Sequence, residues 1–326
     1  MKKYTGIYAP YIRQFIRYKR SLGFKFESEE YIYTLFDRFT IQYGAKTVGV
    51  DRDLAAKWSE KRPNESDNNR GARIRLVARL SAFLQEIGIP SYVPEPPRKR
   101  YTYVPYIFSS SEINLIFQSC DGVTLRQRQY DTSIGIVPAL FRLLYGTGIR
   151  ISEALALRKD QMNLNEDYLV IKATKNGKDR LIPLSTSVSD CCRAYAEYRD
   201  RLTVRNAVDD YFFVTANGTK CNRRSAYNWF RRVLEQAGIT HRGRGLGPRI
   251  HDLRHTFSVH SLVAMAETGL DLYYSLPILS TYLGHQSLEA TDQYVRLTAE
   301  MYPGILKDVN GISNYVFPKI ECYEAD

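Results

Sequence analysis

The sequence predicts a mainly α-helical fold in two domains, with a small antiparallel β-sheet in the second. Three observations carry this prediction. Apolar residues recur at helical spacing in four stretches of the first ninety residues. Five prolines crowd residues 90–105, a composition that excludes helix and makes a semi-rigid spacer. Beyond it, the β-rich runs YLVIKAT and DRLIPL flank Lys175-Asn176-Gly177-Lys178, and Asn-Gly between such runs signals a hairpin.

The elements follow in order. In the first helix Tyr11, Phe15, Tyr18 and Leu22 form the inward stripe with Ile12 and Ile16 beside them, and Gly23 is the stop. A second helix runs from about Glu29 with Ile32, Leu35, Phe36 and Phe39 inward, ending near Gly44. Asp51 caps a third that carries Leu54 and Trp58. The fourth spans roughly 69–87, with Ile74, Val77, Leu80, Leu84 and Ile87 on one face. Arg13, Arg17 and Arg20 line another face of the first helix, and Arg73, Arg75 and Arg79 the outer side of the fourth. Such rows suit phosphate contacts, although a solvated charged face is the commoner use of each one.

The boundaries drawn are a helical domain over 1–90, a linker over 91–105 with the basic cluster Arg98, Lys99 and Arg100, and a second domain over 106–326. That domain opens on Ser109-Ser110-Ser111-Glu112, a capping-box signature. A helix around 135–145, the turn Gly146-Thr147-Gly148 and a short helix from Ile151 to Leu157 follow. After the hairpin, YFFVT at 211–215 is read as a third strand.

Charge narrows the partners. The net charge is +11 and the pI near 9.3. Residues 1–100 hold 20 Lys and Arg against 11 Asp and Glu, so most of the excess lies in the first domain and the basic cluster of the linker. A polyanion such as nucleic acid is the natural partner. The five cysteines are odd in number and include no C-x-x-C, which argues against a disulfide framework and for a reducing compartment. MKKYTGIYAPYIRQFIRYKR has lysines but no apolar stretch after them, so it does not read as a signal peptide. The apolar run IGIVPALF is cut at Arg142, well below a membrane span. A cytoplasmic protein is expected.

The chemistry concentrates in HDLRHTF, residues 251–257. His251 and His255 are four apart and share a helix face, as in helical zinc motifs, but the neighbour is Asp252 where those motifs carry glutamate, and no third ligand is evident. His251 and Arg254 also share a face. Guanidinium grips phosphate in pairs of hydrogen bonds and imidazole exchanges a proton near neutral pH, so an anion site competes with an ordinary polar helix start.

Three further stretches decide the weighing: GTGIRISEALAL with Arg150 and Glu153, the hairpin turn with Lys175, and LGHQSLEATDQY with His285 and, nine residues later, Tyr294. In this order and spacing they resemble the tyrosine recombinase (phage-integrase-like) family over nearly all of residues 109–300. The basic domain ahead of them is similar to the family's core-binding (SAM-like) domain.

The resemblance implies the following roles. Arg150 and Arg254 hold the non-bridging oxygens of a scissile phosphate. Tyr294 attacks, leaving a 3′-phosphotyrosine and a free 5′-hydroxyl, with His251 as base and Lys175 protonating the departing oxygen. His285 hydrogen-bonds the phosphate and Glu153 supports the arginines. No metal or nucleotide cofactor is required. Partners are double-stranded DNA and, in a tetramer on paired sites, further copies of the chain linked by the C-terminal tail. The type of LPILSTYLGH points to recombinases of mobile elements, integrating or excising them. With the first helix starting within ten residues of Met1, no additional arm-binding domain is expected. About two extra helical turns between Arg254 and His285, roughly MAETGLDLYYSLP, are read as a loop inserted between helices, since Gly269 and Pro277 suggest an end and a restart. The competing functions are a DNA-relaxing topoisomerase of the same chemistry, a DNA-binding regulator with a decayed site, and, more remotely, a helical zinc hydrolase.

Overall fold

The computed structural model describes residues 4–97, 104–123, 133–172, 179–202, 210–243, 247–270, 272–285, 291 and 294–298. The chain divides into two compact units, Met1–Tyr103 and Val104–Asp326.

Among its described residues the first unit has four helices: α1 (Ala9–Ser21), α2 (Glu27–Tyr43), α3 (Arg52–Ser59) and α4 (Asp67–Glu86). Their starts follow local chemistry. Pro10 opens α1 where a missing amide costs nothing. Asp51 accepts a hydrogen bond from the Leu54 amide at 2.7 Å, and Ser66 one from Asn69. The core is aromatic, with Tyr8 edge-on to Phe36 and Phe36 edge-on to Trp58, at ring separations of 5.4 and 5.1 Å.

Three expectations fail here. The inward stripe of α1 is Tyr8, Ile12, Phe15 and Ile16, while Tyr18 and Leu22 are exposed. Leu22 lies past the helix end, and Tyr18 lays its ring flat over the outer side of Phe83. Ile87, at the end of α4, is likewise exposed. Arg73 is not on the outer side of α4 but buried, 3% exposed. Its guanidinium pairs with Glu65 at 2.9 Å, donates to the Trp58 and Glu60 carbonyls and lies over the Trp58 ring. It is a structural cation that satisfies carbonyls at the end of α3, and it is unavailable to DNA.

The proline-rich stretch packs on this unit. The Ser91 hydroxyl accepts from the Val50 amide, and the Tyr92 amide donates to the Val50 carbonyl at 2.6 Å. Residues 98–103, and with them Arg98, Lys99 and Arg100, lie outside the described residues.

The second unit contains α5 (Ser110–Asp121), α6 (Val137–Thr147), α7 (Ile151–Ala154), β1 (Met162–Asn163), β2 (Tyr168–Ile171), β3 (Arg180–Pro183), α8 (Thr186–Asp200), α9 (Arg223–Gln236), α10 (Ile250–Glu267) and α11 (Leu272–Leu283). The capping box of α5 forms as predicted, Ser109 and Glu112 satisfying each other's amides. Helix α6 is apolar around most of its circumference, with Val137, Leu140, Phe141, Leu143 and Leu144 all buried and Arg142 turned out to Asp121. Such a helix belongs in the middle of a domain, and α5, α8 and α10 pack around it. The sheet is antiparallel in the order β1-β2-β3, with Leu169 opposite Ile182 and both turned inward. Its third strand is Met162–Asn163, not YFFVT. Tyr211 and Val214 make only isolated bridges, to Arg158 and Lys220. The Phe212 and Phe213 rings pack in the core on the Tyr195 ring.

The segment between Arg254 and His285, expected as an inserted loop, is mostly helix. Helix α10 continues through Glu267 and stops at Gly269, which takes φ +83°. Helix α11 has already begun at Leu272, so Pro277 sits inside it rather than at its start. Most of the extra residues lengthen the two helices.

Candidate active site

The site grows from the end of α6. Gly148 caps that helix in the left-handed region, φ +60°, where a Cβ would meet the Phe257 ring at 2.3 Å. The tight turn swings the chain directly into α7, so Arg150 stands at its N-terminus. The Arg150 amide donates to Glu153 Oε2 at 2.9 Å and its guanidinium to Glu153 Oε1 at 2.8 Å. The same guanidinium reaches the Gly284 carbonyl at 3.4 Å.

Arg254, one turn into α10, comes to the same place. It is 2% exposed, and it donates to the Gly148 carbonyl at 2.7 Å, to the Leu283 carbonyl at 3.0 Å and to His285 Nε2 at 2.9 Å. One planar guanidinium thus joins the turn after α6 to the end of α11, a geometry that lysine cannot reproduce. A guanidinium only donates, so His285 Nε2 accepts, and the ring proton sits on Nδ1 facing Thr291 Oγ1 at 2.8 Å. In this state His285 orients Arg254.

Tyr294 lies beside them, its ring 1% exposed among Val259, Leu262, Leu279 and Leu283. Its hydroxyl is 3.0 Å from Nδ1 of His255. Tyr282, the other tyrosine near the motif, stacks on Phe257, and burial pushes its phenol up to about 12.

Arg150, Arg254, His285 and the buried Tyr294, in the predicted order, therefore converge around the turn after α6, with His255 on the Tyr294 hydroxyl. The sequence model of the phage integrase family matches residues 108–301. The chain belongs to the phage integrase family of tyrosine recombinases.

Similarity to individual family members extends over both units. A protein named integrase/recombinase y4rB from Sinorhizobium fredii is 27% identical over 296 residues, 89% of this chain and 93% of that one. The tyrosine recombinase XerA of Pyrococcus furiosus is 31% identical over 177 residues, 53% of this chain and 54% of its own. Among solved structures, the Tn1549 transposon integrase in complex with a circular intermediate DNA superposes with a TM-score of 0.62 at 16% identity, covering 87% of this chain and 94% of that one. XerH bound to palindromic difH substrate gives 0.61 at 17%, covering 87% and 79%. These two likenesses are likenesses of fold.

The electrostatics of this recombinase site are those of a cation cluster short of anions. Burial, and the Arg150 charge next to it, bring Arg254 down to about 10, still fully charged at neutral pH. Burial also holds the histidines neutral: with the neighbouring arginines it lowers His285 to about 4, and with His251 and Arg254 it lowers His255 to about 3. His251 keeps one side open to solvent. The protein around its other side, with Arg254, Arg150 and Arg223, brings it to about 4. Burial would raise the Glu153 carboxyl, but the Arg150 amide and the Arg180 and Arg150 guanidiniums outweigh it and keep it ionised. Among the described residues no three His, Cys, Asp or Glu side chains gather as metal ligands.

Sequence reasoning missed Arg180. It opens β3, is nine-tenths buried, and pairs with Glu153 Oε2 at 3.1 Å, so Glu153 lies between two arginines. It also explains the glycine of Leu-Gly-His: a Cβ on Gly284 would fall 1.6 Å from Arg180 Nη1. The signal was its place immediately after the hairpin turn, but strand alternation alone does not say what a side chain meets. Thr291 was missed as well, since one hydroxyl among many carries no pattern.

Lys175 lies outside the described residues. Of the first unit's arginines, Arg17 and Arg79 are exposed, and Arg75 is half-buried. Arg20 is exposed and paired with Glu30 at 3.0 Å, while Arg13 donates to the Tyr4 carbonyl.

Proposed function

We propose that this tyrosine recombinase integrates or excises a mobile element in the cytoplasm, cutting and rejoining duplex DNA at specific sites through Tyr294. The reading rests above all on one observation. Arg254 ties Gly148, Leu283 and His285 into one cluster beside Arg150, next to the Tyr294 hydroxyl.

In this reading Arg150 and Arg254 take the non-bridging oxygens of the scissile phosphate and neutralise charge as phosphorus becomes five-coordinate. Arg254 can turn from a backbone carbonyl to the anion, because a charged oxygen is the stronger acceptor. The solvent-facing His251 approaches the phosphate from the open side. His285 keeps Arg254 in place and joins it on the phosphate when Arg254 turns. Glu153 holds Arg150. Lys175, from the β2–β3 turn, protonates the leaving 5′-oxygen. The first unit acts as the core-binding domain, with Arg17, Arg75 and Arg79 on backbone phosphates and Arg13 and Arg20 nearby. The cluster Arg98, Lys99 and Arg100 continues those contacts, and four copies assemble on two paired sites through the C-terminal tail. The relatives carry integrase and recombinase names, which favours this over relaxation of a single duplex or a decayed regulator.

The test is trapping. A duplex enriched by the protein from a random pool, then nicked so that the cleaved strand diffuses away, should capture a covalent protein–DNA adduct. Tyr294→Phe should bind that duplex normally and form none. Loss of the adduct in Tyr282→Phe instead, with Tyr294→Phe unaffected, would move the nucleophile.

A further inference from the structure

The two histidines of HDLRHTF are not equivalent. Both lie on one face of α10, their rings perpendicular with centroids 4.7 Å apart. His251 looks outward to solvent, whereas His255 is 7% exposed and turned inward onto Tyr294. The Tyr294 hydroxyl sits 3.0 Å from His255 Nδ1, and the tyrosine ring is flanked by His255 on one side and stacked on His285 on another.

We infer that His255 is the base of strand cleavage: its Nδ1 holds the Tyr294 hydroxyl and takes its proton as Oη attacks phosphorus. This rests on the reading of Tyr294 as the nucleophile. The step balances with the roles proposed above. The Oη–P bond forms while the P–O5′ bond breaks, the phenol proton passes to Nδ1, and the departing O5′ takes a proton from the general acid, the role proposed for Lys175. Rejoining runs the other way, with the imidazolium returning its proton to the phenolate.

Geometry comes first for a base, and a hydrogen bond already made to the reacting oxygen is the geometry required. The charge state agrees. The groups facing His255 are His251 and Arg254 on its own helix, His285 from the end of α11, and Tyr294. Burial and these neighbours keep it neutral at working pH, so its lone pair is free for the proton. A phosphate bound between Arg150 and Arg254 adds the missing negative charge, which raises the affinity of the imidazole for a proton when the step needs it. His251 is then left to hydrogen-bond the phosphate from the solvent side.

The experiment uses the full chain and the nicked trapping duplex. His255→Asn keeps a hydrogen-bonding atom near the Nδ1 position but cannot act as a base, and His255→Phe removes both functions. Each should bind the duplex as wild type does and form the adduct at least about 100-fold more slowly, the lower edge of a general-base contribution. In His255→Asn the rate should also climb about tenfold per pH unit up to pH 9, because hydroxide must now take the proton, while wild type is flat above pH 7. Replacing Tyr294 by a fluorinated tyrosine of lower phenol pKa should restore much of the lost rate in His255→Asn. In wild type the same replacement should have little effect. That wild-type comparison needs no change at His255, and a rate that rises steeply with phenol acidity there would overturn the inference even if both variants failed to fold. His251→Asn should slow cleavage and keep the wild-type pH profile. An adduct lost in Tyr294→Phe but formed within threefold of the wild-type rate in His255→Asn overturns this inference alone. An adduct that survives in Tyr294→Phe overturns the nucleophile assignment with it.

Discussion

Arg254 is the residue on which most of the site depends, because its two terminal nitrogens serve three acceptors on two other segments. Arg254→Lys should retain the charge and lose the span. The Gly148 and Leu283 carbonyls would compete for one ammonium, and an unsatisfied buried acceptor costs about 1–3 kcal/mol. The variant should melt several degrees lower and form adduct at least 100-fold more slowly, and a variant matching wild type in both would remove Arg254 from the centre of the site. The neutral histidines make a second prediction, about pH. In the unfolded chain each takes a proton near 6.5, whereas in the fold His255 waits until about 3 and His285 until about 4. Unfolding therefore takes up protons in that window, so stability is full above pH 6.5 and falls as pH drops toward 4. Urea midpoints measured from pH 7.5 to 4.5 should decline, less steeply in His255→Asn, and a flat series would contradict the neutral histidines.

At the scale of elements, the site is held by two left-handed glycines at helix ends. Gly148 and Gly284 end α6 and α11 with φ +60° and +66°, and each leaves no room for a Cβ, against Phe257 and Arg180 respectively. Gly284→Ala should displace Arg180 from Glu153 and loosen Arg150, lowering adduct formation by tenfold or more with little change in DNA affinity, since the first unit is untouched. Arg180→Ala should have the same signature through loss of the ion pair to Glu153. If Gly284→Ala cleaves at full rate, the close approach of Arg180 has no consequence for the reaction. Element boundaries were legible where capping chemistry is local, as at Asp51 and at Ser109–Glu112. They were not legible around Pro277, because packing of α11 against α10 carries the helix through a residue that would stop it in isolation.

For the whole molecule, the charge asymmetry sets the binding behaviour. The first hundred residues carry 20 Lys and Arg against 11 Asp and Glu. Affinity for DNA should fall log-linearly with salt, by about 0.9 in the exponent for each phosphate neutralised. Arg79→Ala should reduce that slope by about one, whereas Arg73→Ala should act on stability instead, since it strips partners from Glu65 and from the Trp58 and Glu60 carbonyls. If the fragment 104–326 bound as tightly and with the same salt slope as the full chain, the first unit would have no part in DNA binding. The tail also tests the assembly. Ile312, Tyr315, Val316, Phe317 and Ile320 are crowded into nine positions, outside the described residues. Deleting 311–326 should leave single-site binding intact and weaken cooperative binding to paired sites.

The sequence by itself determined the four helices of the first unit, the helix that becomes α6 and the antiparallel β2–β3 pair, and it picked out Arg150, His251, Arg254, His285 and Tyr294, which the fold brings into one region. Periodicity and spacing are local quantities, and a helix of 3.6 residues per turn reports which side chains share a face. What stands opposite that face is not local. Tertiary structure alone decided that Arg73 turns inward onto Glu65 while Arg79 stays outside, that Arg180 rather than solvent meets Glu153, and that His255, not its neighbour one turn away, lies on the Tyr294 hydroxyl. Each of those outcomes depends on a partner 8 to 39 residues away in the chain, and only the packed core brings such partners within hydrogen-bonding distance.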